Sequence, residues 1–272
     1  MTVALGCTWF DGLAEQPGII DMVDFVEVPG WLLDHNFERP HERLVLHNLE
    51  QDWSMAAVDA IDSTWPDRLD DAIRLTRTPW FSLHLGFAAE QVHFDGHMLP
   101  VSWPLPRREL MGRLVEVTNE ARLHCPLQVL LENLDYCPEG AYEHVCEPEF
   151  IAEVIEMTGA GLLFDLAHWR VSSSWLGFDP IEALERMPME RTVEVHLSSP
   201  RPLADGSGRL DDCHDTLESY DFELLDAVLE RTRPRAITIE YVRDSVQLRD
   251  EIGKVRSFVE HRSTSDGMEI VN

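Results

Sequence analysis

Eight short, nearly continuous apolar runs recur along the 272-residue chain, and segments with helical spacing separate most of them. The runs cover 3–7, 25–28, 44–47, 80–84, 129–132, 162–165, 192–197 and 236–241. Such runs fit strands buried on both faces, as in a parallel sheet. Apolar residues at helical spacing fill 65–76, 107–124, 148–158, 180–186, 222–231 and 246–261. Asp179-Pro180 and Glu147-Pro148 place proline near a first helical turn. Strands and helices alternating in this number predict a closed (β/α)₈ TIM barrel of the α/β class, over residues 1–262, with a frayed tail at 263–272. An open doubly wound sheet is the competing fold, but its G-x-G-x-x-G phosphate turn is absent from the sequence. Two long segments, 86–106 and 198–220, follow the fourth and seventh strands, on the side where barrel enzymes build their sites.

Composition narrows the class. At 44% hydrophobic the chain fills one large core, and no run approaches a membrane-spanning length. No basic segment precedes the first apolar run, so a cytoplasmic protein is expected. The five cysteines are widely spaced and form no C-x-x-C, which argues against a disulfide framework and a cysteine zinc site. A formal net charge of −28 repels phosphate backbones and anionic membranes, so neither nucleic acid nor membrane is an expected partner.

The strand endings carry the chemistry. The third strand ends in His47, the fourth in His84, the fifth in Glu132 and the sixth in Asp165; the seventh carries Glu194 and His196, and the eighth Glu240. Asp165 is followed three residues on by His168, and the loop after strand seven adds Asp212 and His214. Burying so many ionisable groups at one barrel mouth is very costly without counter-charge, and divalent cations remove that cost. Imidazoles mixed with carboxylates suit iron, manganese or zinc better than magnesium or calcium. Alternation along strand seven turns Glu194 and His196 inward and Val193 and Val195 toward the helices. His196 is then the better ligand and Glu194 its orienter. Glu27, inward on strand two, either reaches substrate or pairs in the barrel floor.

This ligand order resembles the xylose-isomerase-like barrels, especially the trinuclear-zinc apurinic endonucleases. The resemblance implies that His47, His84 and Glu132 hold one metal. Glu132 bridges to a second, held by Asp165, His196 and Glu240, and His168, Asp212 and His214 hold a third. The surrounding segments Leu130-Leu131-Glu132-Asn133-Leu134, Leu163-Phe164-Asp165, Gly177-Phe178-Asp179-Pro180, Val193-Glu194-Val195-His196-Leu197 and Phe25-Val26-Glu27-Val28-Pro29 resemble another branch, the multinuclear non-heme iron-dependent oxidative enzymes. That family includes the methanobactin-biosynthesis oxidase, and the likeness spans residues 3–245. Two departures stand out: many members carry asparagine at the position of His168, and the His47-Asn48-Leu49-Glu50 segment is atypical.

The resemblance implies an enzyme that modifies a ribosomally synthesised precursor peptide, at cysteine. It implies two or three ions as an Fe(II)/Fe(III) cluster, O₂ as co-substrate, and a small leader-binding partner protein. Glu132, Asp165, His196 and Glu240 become the expected catalytic set, and Glu27, Asn133 and Glu194 the expected substrate contacts. The alternatives are an apurinic-endonuclease-like phosphodiesterase and a metal-dependent sugar isomerase or epimerase. DNA needs a basic footprint, and the chain has 22 basic against 50 acidic residues. Its single lysine, Lys254, falls in the last helix, which argues against a catalytic lysine.

Overall fold

The computed structural model describes residues 3–14, 16–33 and 37–269. Eight parallel strands close a barrel: β1 (Ala4–Thr8), β2 (Phe25–Pro29), β3 (Leu44–His47), β4 (Trp80–His84), β5 (Gln128–Glu132), β6 (Gly161–Asp165), β7 (Thr192–Leu197) and β8 (Ala236–Ile239). Each strand pairs with its sequence neighbours, and β8 closes on β1 with Ala236 opposite Ala4. The first strand lies one residue later than its expected 3–7, and the eighth stops at Ile239. Glu240 therefore sits just past its strand, kept in line by its N–H donating to the Leu197 carbonyl at 3.1 Å.

The main helices are α1 (Trp65–Thr76), α2 (Arg107–His124), α3 (Pro148–Thr158), α4 (Leu166–Leu176), α5 (Ser219–Arg231) and α6 (Ser245–Glu269). The expected helix over 180–186 is instead a short 3₁₀ turn, Glu182–Arg186, whose first N–H groups are taken by the Asp179 carboxylate. The backbone of α6 continues into the expected tail as far as Glu269, and 270–272 lie outside the described residues. Among the described residues, no helix is long and apolar enough to cross a membrane.

The interior is layered. Phe25, Val45, Trp80, Leu130, Leu163, Val193 and Ala236 form an apolar cluster separate from the larger one between strands and helices. Two residues further along each of several strands, the same inward face carries Glu27, His47, Ser82, Glu132 and Asp165. The barrel thus has a dry floor and a polar layer above it. Val193 corrects the simple alternation: Val195 joins the outer core as expected, but Val193 packs with the floor. A register shift between β6 and β7, at Leu162/Leu163, opens that strand locally.

Both long segments fold into antiparallel hairpins. Val92–Asp95 pairs with His97–Pro100 around Gly96 (φ +78°), and Ser199–Pro202 pairs with Leu210–Asp215. They rise from the strand C-termini and flank the mouth.

Candidate metal centre

Strand register sets the donors level. His84 lies opposite Glu132, and Asp165 opposite His196, in adjacent strands. Their side chains converge. Glu132 Oε2 lies 3.2 Å from His47 Nε2 and 3.4 Å from His84 Nε2, and the two imidazole nitrogens are 3.3 Å apart. Two donors bound to one ion at about 2.1 Å and 90–109° are about 3.0–3.4 Å apart, so this triangle has the edges a shared cation imposes. The other oxygen of Glu132 faces the opposite way, 3.4 Å from His196 Nδ1 and from His168 Nδ1. His196 Nδ1 is in turn 3.3 Å from Glu240 Oε2 and 3.9 Å from Asp165 Oδ2. Glu132 therefore stands between two donor groups, His47/His84 and Asp165/His196/Glu240, and each group including Glu132 keeps one donor atom per residue within 4.8 Å of the rest.

Glu27, Glu194 and His196 also bring their donor atoms within 4.8 Å of one another. Hydrogen bonding separates the cases. Both Glu194 oxygens are engaged, by Trp80 Nε1 at 2.6 Å and Thr238 Oγ1 at 2.6 Å. Glu27 accepts from Thr8 Oγ1 at 3.0 Å and meets His196 Nε2 at 3.0 Å. By contrast Glu132 Oε2, Asp165 Oδ2, His196 Nδ1 and Glu240 Oε2 are buried with no hydrogen-bond partner. A single such atom costs about 1–3 kcal/mol. Four that aim at one another fit a site built for cations.

Three of these candidate donors are oriented from behind. His47 Nδ1 pairs with Ser82 Oγ at 2.9 Å, and His168 Nδ1 donates to the Asn133 carbonyl at 2.9 Å, so each ring presents Nε2 to the mouth. Asp165 is the N-cap of α4: its Oδ1 accepts the His168 N–H at 2.6 Å, which leaves Oδ2 free. The D-x-x-H spacing, expected as a ligand pair, is a helix cap. Asn48 holds a left-handed backbone (φ 52°) just past β3, where its side chain accepts from the His84 N–H and its amide nitrogen lies 2.7 Å from His47 Nε2, a contact an ion bound there would displace.

Electrostatics follow from this packing. Burial would raise the Glu132 carboxyl, but His47, His196 and His84 hold it at about 2. Burial lowers His84 to about 4, leaving a neutral imidazole. Burial also acts against the protonated forms of His196 and His168. The surrounding carboxylates outweigh it and hold both well above the usual range, Glu240 and Glu27 leading for His196 and Asp165 and Glu132 for His168.

The third expected set is looser. His214 Nε2 is 3.2 Å from Asp212 Oδ2, but His168 Nε2 is 3.9 Å away, and these three residues do not reach the mutual 4.8 Å of the other groups. Two expected substrate contacts need correction. Asn133 is buried with its amide spent on both sides of the Asp165 peptide, donating to the carbonyl and accepting from the N–H at 2.9 Å each. Glu194 lies in the barrel beneath His196, and neither side chain lines the mouth. Glu27 does line it, while also pairing with His196.

Above the donors lies an open cavity of about 710 Å³. Its walls include Trp31, Phe87, Phe94, Tyr136, Tyr142 and Trp175. Two of its groups carry no role assigned from the sequence. Asp135 stands three residues beyond Glu132, and burial lifts its carboxyl to about 6 against the pull of His168. His97 comes from the first hairpin, its Nε2 buried without a partner. The neighbouring Met98 is pinned on both sides, by the Tyr142 hydroxyl and the Ala141 N–H, so His97 is held in place. The Asp95-Gly96 turn signal was there to predict this hairpin. Cys213 does not line the cavity, and its thiol faces the Ser199 carbonyl at 3.8 Å.

Known proteins agree with this architecture. The chain is 28% identical to a UPF0276 protein of Caulobacter vibrioides over 244 residues, 86% of this chain and 84% of that one. It is 26% identical to a UPF0276 protein of Psychromonas ingrahamii over 188 residues, 68% of this chain and 65% of that one. Among solved structures, a D-tagatose 3-epimerase-like protein superposes with a TM-score of 0.68 at 16% identity, covering 97% of this chain and 99% of that one. Endonuclease IV from Thermus thermophilus gives 0.61 at 16% identity, covering 95% and 99%. At that identity they share the fold alone, a closed (β/α)₈ barrel. The model of the RiPP precursor modification enzymes MbnB/TglH/ChrH matches residues 31–260, and the chain belongs to that family.

Proposed function

We propose that this protein is a multinuclear non-heme iron enzyme that uses O₂ to modify a ribosomally made precursor peptide at cysteine. The observation that carries the metal is the convergence of orphaned donors on Glu132, Asp165, His196 and Glu240. Family membership supports the peptide substrate. In this reading His47, His84 and Glu132 hold one ion, and Glu132, Asp165, His196 and Glu240 a second. His168, Asp212 and His214 hold a third, more accessible one. Bound iron would accept a soft thiolate and supply the electrons that O₂ chemistry needs.

The residues divide the remaining work. Glu132 fixes the spacing of the two inner sites. Glu27 orients His196 through Nε2, and Ser82 orients His47. The aromatic walls exclude water around the reacting side chain. The hairpins and the open cavity leave room for a chain on either side of it, and a small partner protein would carry the leader.

Phosphodiester and sugar readings find less support. Among the described residues, no arginine or lysine lines the cavity to meet a phosphate. Lys254 sits on α6, bonded to Glu251, so it is no catalytic base. The five cysteines are free, in keeping with a cytoplasmic enzyme. The test is protein purified anaerobically, expected to hold two to three iron atoms and to develop a visible band with a cysteine-bearing precursor peptide. Full activity with zinc alone refutes the oxidative reading.

A further inference from the structure

The charge around the cavity is one-sided. Seven carboxylates line it, Glu27, Glu132, Asp135, Glu139, Asp211, Asp212 and Glu240, and no arginine or lysine among the described residues. Two divalent ions would offset about four of those charges, and a third about two more. The nearby cations are engaged elsewhere. Arg209 donates to the Ser174 and Trp175 carbonyls, Arg243 to Asp215 and the Cys213 carbonyl, and Arg170 to Asp221. Glu139 and Asp211 are exposed at the rim, on the segment after β5 and on the second hairpin. Aromatic side chains line the same cavity: Tyr136 and Trp175 have ring centroids 6.4 Å apart, and the Arg209 guanidinium lies 5.1 Å from the Trp175 ring centroid.

We propose that this cleft selects its peptide by charge, taking a segment whose residues flanking the metal-bound cysteine are basic or neutral and rejecting acidic flanks, with Glu139 and Asp211 as the selecting groups. The proposal rests on the peptide reading above and deepens it. A flanking arginine would find a carboxylate at the rim and a tyrosine or tryptophan face beside it. A flanking glutamate would find only like charge.

The net charge of −28 alone favours basic peptides, so the test must separate local from overall charge. The metal-loaded protein is titrated with three synthetic peptides, Ac-Ala-Arg-Cys-Arg-Ala-NH₂, its alanine-flanked analogue and its glutamate-flanked analogue, by calorimetry without oxygen. The arginine peptide is expected to bind about tenfold more tightly than the glutamate peptide at low ionic strength. In the E139Q/D211N double variant, whose metal content should be unchanged, that ratio is expected to fall below about threefold. A ratio that survives the double variant assigns the preference to the whole-protein field and overturns the proposal. Equal binding of the arginine and glutamate peptides overturns it too, while leaving the peptide reading intact. Failure of all three to bind counts against the peptide reading itself.

Discussion

Glu132→Gln replaces the carboxylate between the two donor groups by a neutral isostere. In the metal-free protein this carboxylate faces His47 and His84 with one oxygen and His196 and His168 with the other, at 3.2–3.4 Å. Each tenfold change in proton affinity is worth about 1.4 kcal/mol. Holding the carboxyl at about 2 instead of its ordinary 4.5 therefore favours the ionised folded form by about 3 kcal/mol. That contribution is present above about pH 4.5 and is lost as the pH falls toward 2. The metal-free glutamine variant is expected to unfold in urea at pH 7 with less stability than wild type, by at most about 3 kcal/mol because His84 is already neutral there, and the gap should close as the pH falls toward 2. Metal binding should suffer more, since both inner sites lose a shared ligand. A loss of at least ~100-fold per ion is expected, read by elemental analysis after gel filtration. A variant as stable as wild type that retains every ion refutes the bridge.

Asp165→Asn should lose metal but keep the α4 cap, whereas Asp165→Ala should lose both and a further ~1 kcal/mol; urea melts of the metal-free proteins separate the two. Metal loading at pH 7 should release protons, because neighbouring carboxylates keep His196 and His168 protonated well above the usual imidazole range; calorimetry in two buffers of different ionisation enthalpy reads the number, and none released counts against His196 and His168 as ligands. Glu194→Gln disturbs the bonds to Trp80 and Thr238 and should cost about 1–3 kcal/mol of stability while the substrate KM stays put; a raised KM restores it as a substrate contact. His97→Ala should raise KM several-fold with metal content unchanged, as the unpartnered ring nitrogen on the hairpin is lost; an unchanged KM removes it from the binding surface.

The barrel was legible because its strands are short apolar runs with polar endings, a pattern that survives without knowledge of contacts. His47, His84, Glu132 and Asp165 were legible as polar endings of apolar strands, and period-two alternation picked out the inward face of strand seven. That rule failed at Val193, where a register shift against β6 turned an expected outward residue into the floor. Asn133 and Glu194 looked available from sequence because nothing there tells whether a polar group is already spent on a peptide or an indole. Asp135 and His97 were hidden for the opposite reason. Each reaches the mouth from a segment beyond the strands, where tertiary placement rather than periodicity decides the direction of a side chain.

The apolar layer beneath the ligands closes the barrel from below with Phe25, Val45, Trp80, Leu130, Leu163, Val193 and Ala236. The donors therefore rest on an apolar floor and open toward the cavity above. In the proposed reading a peptide and O₂ would share that approach, and a seated peptide would narrow the path left for the gas.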